Sequence, residues 1–470
     1  MAVWSSVGFA QARKEQRFDP EFWQPIYLDD QEASQTWPIL GKYLVSTQYG
    51  LSREMNDSGR GTPIYRMDEI DDLFLTTPEK YAETSEEEQA SLLLKRNDVL
   101  FNRTNSTKFV GRTGILKQNV HAIFASYLIR LVTDTSQLLP EYLAVYLNCP
   151  TGIRFVKRRA KESINQTNIS GSEIRKVPIV IPSMSLQRHV ALLVEEAAKY
   201  RSKIAGFYAD AEAEMLERLG WAKLTKQRTE LWYVQNYHAL TTAGRCDAEH
   251  FRPQLRRLRK HLVKEGSKSI GEFCPTPRRG VQPVFVQNGD VWVIDSKAVR
   301  PGGPEPSLEE RTNLAFLNDP RNAKAGVAFG DVLLNSTGRG TLGRAACWLR
   351  HEPAMADNHV SILRPDPHDC LPVYMALFLN SPAGMAQTEM FQTGSSGQLE
   401  LYSADVLKLI VYLPKTGNGN IDLEWQRKLT NKVIAANEAN ITARAKIEEA
   451  KSLVEGEIKK SLKLVLTCNN

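Results

Sequence analysis

The segment Asn102-Arg-Thr-Asn-Ser-Thr-Lys108 gathers amides, hydroxyls and two cations between apolar runs that read as strands. Asn102, Arg103, Asn105, Ser106 and Lys108 thereby sit on one turn, where such side chains can hydrogen-bond phosphate oxygens or base edges. Arginine matches guanine bidentately and asparagine matches adenine. The same residues also suit a solvated hairpin with capping roles. A second segment, Ser336-Thr-Gly-Arg-Gly-Thr341, keeps Ser336, Thr337, Arg339 and Thr341 among glycines that let a backbone come close. Two further loops place arginine beside glycine: Gln48-Tyr-Gly-Leu-Ser-Arg53, with Ser52 and Arg53, and Pro277-Arg-Arg-Gly280, with Arg278 and Arg279. Two more, Ser163-Ile-Asn-Gln-Thr-Asn168 and Thr393-Gly-Ser-Ser-Gly-Gln398, supply Asn165, Gln166, Asn168, Ser395, Ser396 and Gln398. Each suits a turn facing a nucleic acid or an ordinary surface loop. Two basic clusters, Arg154 with Lys157, Arg158, Arg159 and Lys161, and Arg252 with Arg256, Arg257, Arg259 and Lys260, could neutralise phosphates or form solvated helix faces.

Other chemistries fail on pattern. Gly338-Arg-Gly340-Thr-Leu-Gly343 matches the dinucleotide-binding fingerprint literally. That motif needs a helix to follow, and Arg344 to Arg350 reads as a strand. Asp19-Pro-Glu-Phe22 faintly resembles the Asp-Pro-Pro-Tyr motif of amino-methyltransferases but lacks the second proline, and no glycine-rich loop for S-adenosylmethionine follows an early strand. The pattern GxxxxGK[ST] of nucleotide hydrolases is absent. Eight scattered histidines and six separated cysteines give no metal-ligand spacing, and the cysteines read as reduced thiols of a cytosolic protein. The chain has 470 residues, 42% hydrophobic and 24% charged, which excludes disordered and collagen-like classes. A net charge of +6 is too mild for a polybasic coat on nucleic acid. No apolar run reaches the roughly 18 residues of a membrane span, and the opening residues lack a secretory pattern, so a soluble cytoplasmic chain is expected.

What must position these loops is a repeat. Tyr142-Leu-Ala-Val-Tyr-Leu-Asn-Cys-Pro-Thr-Gly152 returns as Tyr374-Met-Ala-Leu-Phe-Leu-Asn-Ser-Pro-Ala-Gly384, and Arg17-Phe-Asp-Pro-Glu-Phe-Trp-Gln-Pro25 as Arg245-Cys-Asp-Ala-Glu-His-Phe-Arg-Pro253. Asn97-Asp-Val-Leu-Phe-Asn102 likewise returns as Gly330-Asp-Val-Leu-Leu-Asn335. A period this long is a duplicated domain rather than a solenoid. Each copy opens with a β-rich body. Strands are expected at 63–67, 99–102, 123–131 and 177–181, then at 291–294, 332–335, 360–363 and 409–413, with short helices at 140–148 and 372–380. A long helix follows each body. Leu186, Val190, Leu193, Ala197, Tyr200, Ile204, Phe207 and Ala211 recur at alternating steps of four and three, as do Leu429, Val433, Ala436, Asn440, Ala443, Ile447, Ala450 and Val454. This predicts two helices packed antiparallel, with Ser185 capping the first and Asn440 fixing register; an amphipathic helix lying on its own domain is the alternative. A helix over 185–218 would span about 50 Å, or roughly fifteen base pairs of duplex DNA. Two diverged modules held apart by such a rod could read different things.

These features resemble the specificity subunit (HsdS) of type I restriction-modification systems. The likeness rests on Asn97 to Ser106 with Val110-Gly-Arg-Thr-Gly-Ile115, on Gly330 to Thr337 with Leu342-Gly-Arg344, on the strand-ending Pro182 and Pro414, and on Gln187-Arg and Gln426-Arg opening the helices. The resemblance implies an α+β chain with two duplicated β-rich target recognition domains, 1–182 and 245–414, joined by two long antiparallel coiled-coil helices, 183–219 and 415–470, with a connector at 220–244. It implies a non-catalytic subunit that binds double-stranded DNA at a bipartite site. The helices would set the spacing and dock two methyltransferase subunits, and a restriction or translocase subunit would complete the complex. S-adenosylmethionine and ATP with Mg would then be bound by those partners and not by this chain. A self-contained DNA modification enzyme and an interaction scaffold that binds no DNA are the competing readings.

Overall fold

The computed structural model describes residues 4–163, 166–226, 232–307, 310–394 and 399–468. The chain folds as two compact units, the first made of residues 1–201 and 441–470, the second of residues 202–440.

In the first unit the strands Leu44–Tyr49, Leu128–Thr133, Val99–Asn102, Thr113–Ile115, Phe74–Leu75 and Ile70–Asp71 lie side by side in that order. A smaller sheet sets Thr62–Tyr65 between Lys80–Ala82, antiparallel, and Ile123–Phe124, parallel. The second unit repeats the design. Arg278–Arg279, Val360–Leu363, Val332–Asn335 and Ala345–Cys347 form one sheet, and Val291–Ile294 lies between Arg311–Thr312, antiparallel, and Ala354–Ala356, parallel. The strands Val99–Asn102 and Val332–Asn335 are buried along their whole length. That is why their sequences are continuous apolar runs ended by Asn, with no in-out alternation.

The helices Pro140–Asn148 and Pro372–Asn380 begin with proline at the position where a missing N–H is harmless. Both pack into the cores of their units. Each ends on an asparagine that ties it to the sheet: Asn148 Nδ2 donates to the carbonyls of Thr113 and Ala144, and Asn380 Nδ2 to those of Ala345 and Ala376.

The long helices are Met184–Leu219 and Leu423–Cys468. Within the first unit Val190, Leu193, Val194 and Ala197 share a core with Ala443, Ile447, Ala450, Val454 and Ile458. Within the second unit Ala211, Met215 and Leu219 share one with Leu429 and Val433. The direction is antiparallel, since within the second unit Glu214 pairs with Lys428 and Lys432 while Arg218, further along, pairs with the earlier Asp422. The fold is α+β, a duplicated β-rich body with two long helices.

Several expectations need correction. Residues 177–181 form no strand; prolines at 178 and 182 remove donors, and one bridge, Ile39 to Pro178, is all that pairs there. The run 123–131 divides between two sheets, and 409–413 shrinks to Ile410–Val411 against Lys268–Ser269. Ser183, not Ser185, caps the first long helix, accepting from the Leu186 N–H at 3.4 Å. Phe207 is partly exposed, and its neighbour Tyr208 packs against the core instead. Asn440 donates Nδ2 to Glu305 Oε1 at 2.5 Å, so its side chain is engaged outside the helix pair.

Candidate nucleic-acid interface

The polar loops that stand apart in the sequence converge within each unit through main-chain hydrogen bonds. In the first unit the Arg103 N–H donates to the Tyr127 carbonyl and the Ile169 N–H donates to the Arg103 carbonyl. The Leu51 N–H meets Phe124, and the Ser126 N–H returns to Leu51. Thr104–Asn105 also pairs with Gln166–Asn168, which pairs in turn with Lys161–Ser163. One surface therefore carries residues from the loops near 50, 103, 127 and 168. Gly50 is needed there because a Cβ would lie 2.3 Å from the Phe124 carbonyl oxygen, and Gly280 meets the same constraint 2.1 Å from that of Asp357.

Within that surface the side chains sort by how much hydrogen-bonding capacity they keep. The Arg103 guanidinium lies 5.0 Å from the Tyr49 ring, with Nε buried and without a partner. Tyr49 and Tyr127 are 44% and 40% exposed, and the Tyr49 hydroxyl accepts from the Gly171 N–H at 2.7 Å. Asn105 donates to Met67 Sδ and accepts from the Ser106 N–H, and Asn168 accepts from Thr104 Oγ1 at 2.6 Å. Ser106, Lys108 and Gln166 are exposed. Lys108 and Arg112 lie 5.7 and 4.3 Å from the Phe109 ring.

Some candidates are structural instead. Asn102 is fully buried, donating Nδ2 to the Phe109 carbonyl and accepting from the Thr104 N–H. It holds the turn and reads nothing. Ser336 is buried against Ser361 and is likewise out of reach of a ligand. Arg53 is bound to the Glu83 carbonyl and, at 2.9 Å, to Glu88, while Ser52 beside it is exposed. Most of the first basic cluster is also spent. Arg154 pairs with Asp30 and Arg159 with Glu15, Arg158 lies 4.3 Å from the Phe22 ring, and Lys157 donates to the carbonyls of Thr107, Lys108 and Val110. In the second cluster Arg252 pairs with Glu389, Arg256 donates to Gln235, and Arg259 donates to the Lys408 carbonyl. Lys161 and Lys260 remain exposed. Asn165, Ser395, Ser396 and Gln398 lie outside the described residues.

The second unit assembles the matching surface. The Ser336 N–H donates to the His359 carbonyl, the Leu401 N–H to the Ser336 carbonyl, and the Gly280 N–H to that of Val360. Thr337 bridges to Glu400 and places Oγ1 2.6 Å from His359 Nδ1. Arg279 donates Nε to the Asn358 carbonyl and pairs Nη1 with Glu400 Oε1. Arg278 lies 3.7 Å from the buried Asp331 carboxylate, and Thr341 donates to the Thr337 carbonyl. Arg339 is exposed at the loop tip and makes no hydrogen bond or ion pair with any described residue. The glycines around it belong to a turn that runs into the strand Ala345–Cys347, so the dinucleotide fingerprint lacks its helix.

Among the described residues no group of three or more histidine, cysteine or acidic side chains could hold a metal ion, and no helix is long and apolar enough to cross a membrane. Burial pushes the thiols of Cys149 and Cys347 up to about 12, which keeps them protonated.

No family model matches the chain. Over 165 residues it is 30% identical to the type I restriction enzyme EcoKI specificity subunit of Escherichia coli (strain K12), a match covering 34% of this chain and 35% of that protein. The chain resembles type I restriction enzyme specificity subunits. The putative type I restriction enzyme MjaX specificity subunit of Methanocaldococcus jannaschii is 24% identical over 170 residues, covering 35% of this chain and 40% of the relative. The matches thus span about a third to two fifths of these curated relatives' length. Among solved structures, the type I restriction-modification S subunit from M. genitalium aligns over 91% of this chain and 95% of its own, with a TM-score of 0.42 and 12% identity. The HsdS subunit from Thermoanaerobacter tengcongensis aligns over 91% and 96%, with a TM-score of 0.27 and 15% identity.

Likeness to specificity subunits does not by itself pick out Tyr49, Tyr127, His359 or Glu400, and neither does reading each loop alone. The shared main-chain bonds are what align them, Tyr49 with Arg279 and Tyr127 with His359, since most residues around each pair differ between the copies.

Proposed function

We propose that this chain is the DNA sequence-recognition subunit of a type I restriction-modification complex. Residues 1–182 and 245–414 act as target recognition domains, each reading one half of a bipartite site in double-stranded DNA. The long helices set the gap and dock two methyltransferase subunits. A restriction or translocase subunit completes the assembly in the cytoplasm. Catalysis is assigned to the partners, which bind S-adenosylmethionine and ATP with Mg.

One observation carries this reading. Two bodies of the same design hold their loops by matching main-chain bonds yet present different side chains at matching positions. A duplicated enzyme would keep its reacting groups alike in both copies, whereas a reader of an asymmetric sequence needs its contacts to differ. The test is to map methylated adenines in the genome that carries the gene, with and without it. The expected result is a two-part motif with a fixed gap that vanishes on deletion; unchanged methylation overturns the reading.

A further inference from the structure

The main-chain bonds equate positions in the two units: Tyr49 with Arg279, Arg103 with Ser336, Tyr127 with His359, and Asn168 with Glu400. The last pair is the odd one. A carboxylate on a surface meant for a polyanion is repelled by phosphate, so Glu400 needs another reason to be there. It is also firmly placed, because its backbone bridges to Thr337 on one side and to Thr393 on the other. Its side chain pairs with Arg279, both being about one third exposed.

The pair has capacity left. Arg279 has five N–H donors, of which Nε serves the Asn358 carbonyl and one Nη1 proton serves Glu400. Nη2 and the second Nη1 proton have no partner among the described residues, and neither has Glu400 Oε2. The remaining donors are a fork of the kind that fits O6 and N7 of guanine, and a free carboxylate oxygen is what the N4 amino group of cytosine donates to. An arginine already neutralised by a carboxylate is a poor phosphate clamp, which leaves base edges as the partner.

We infer that Arg279 and Glu400 together read one G·C base pair in the major groove of the half-site bound by the second unit, Arg279 on guanine and Glu400 on cytosine. In the first unit the corresponding places hold Tyr49 and Asn168, so no such pair is read by those positions. This inference rests on the proposed DNA-recognition role. It adds a specific base pair and two residues that determine it.

The test is selection of bound duplexes from a randomised library by the full chain with its methyltransferase partners, read position by position. The wild type should select a two-part motif whose second half contains a G·C pair. In Arg279→Ala, discrimination at that one pair should fall roughly 5- to 150-fold, with the rest of the motif kept. Glu400→Gln, nearly the same shape, should lose the preference for cytosine at the same position only. Arg279→Lys, which keeps the charge but not the fork, should behave like the alanine variant at that pair and guards against a folding defect. Failure of the wild type to select any two-part motif overturns the recognition role itself. A wild-type motif that Glu400→Gln and Arg279→Lys leave unchanged, or weaken evenly at all positions, overturns the assignment of the pair alone.

Discussion

The two units agree where side chains hold backbone and differ where side chains face outward. Arg17 pairs with Asp19 and donates to the carbonyls of Arg159 and Ala160; Arg245 pairs with Asp247 and donates to those of Phe391 and Gln392. Gln187 accepts from the Leu139 N–H as Gln426 accepts from that of Leu371. Asp98 is paired by Arg130 as Asp331 is by Arg364. These contacts aim at main-chain atoms or at buried charge, so any substitution leaves a polar group stranded. At the loop surface the same main-chain bonds recur in both copies whatever side chain they carry, so the carbonyl of Tyr127 in one unit and of His359 in the other accepts the corresponding N–H. The lesson is that a duplicated scaffold can diverge in what it contacts while its clasps stay fixed.

The strongest way to break this comparison is at the clasp. Arg17 is 1% exposed, and Arg17→Ala should destabilise the first unit by about 3 kcal/mol because it leaves the buried carbonyls of Arg159 and Ala160 without their donor. Arg245→Ala should do the same to the second unit. Denaturant unfolding followed by limited proteolysis should show one unit lost while the other stays resistant; both lost together, or neither, would contradict the equivalence.

A smaller effect separates the units by pH. Burial pushes the Asp357 carboxyl up to about 6, against the pull of the His359 N–H and charge and helped by Asp295 and Glu310. The first unit has apolar Ala125 in that place. Since the native carboxyl binds its proton more tightly than the unfolded one, with its pKa near 3.9, stability falls as pH rises from about 4 to about 6 and stays lower above. Asp357→Asn should therefore stabilise the second unit by up to about 3 kcal/mol at pH 7.5 and by nothing below about pH 4. Unfolding curves across that range check it, and a gain independent of pH would point to packing instead.

The smallest change in stability belongs to the exposed loop. Lys108→Ala should alter it by no more than about 0.5 kcal/mol. It should weaken DNA binding evenly across sequences and lower the slope of log affinity against log salt by about 1. Titrations at several salt concentrations decide this. A loss confined to one base position would make Lys108 a reader and not a phosphate contact.

Much of the fold was legible because burial writes itself into sequence. Strands 99–102 and 332–335 and helices 140–148 and 372–380 stand where apolar runs, proline and asparagine placed them. Errors arose where a weak local rule met tertiary context. Phe207 and Tyr208 both fit a drifting helical period, and packing took the tyrosine. The candidate surface was half legible. Polar residues in a loop point outward or inward with equal ease, so Asn102 and Ser336 were misplaced, as the buried turn each one holds is not written in residue type. Glu400 went unnoticed because acidity argues against DNA until its arginine partner is seen.

The two units also differ in how the chain supplies them. The second is one continuous stretch, 202–440, but the first takes Ala443, Ile447, Ala450, Val454 and Ile458 from beyond it. On a ribosome, Val190, Leu193 and Ala197 emerge and then wait for their covering helix while the whole second unit is made. At 5 to 20 residues per second that delay is roughly ten to fifty seconds. The module that begins synthesis first is thus the last able to close its core, and during that interval its bare apolar strip is the part of the nascent chain most in need of a chaperone.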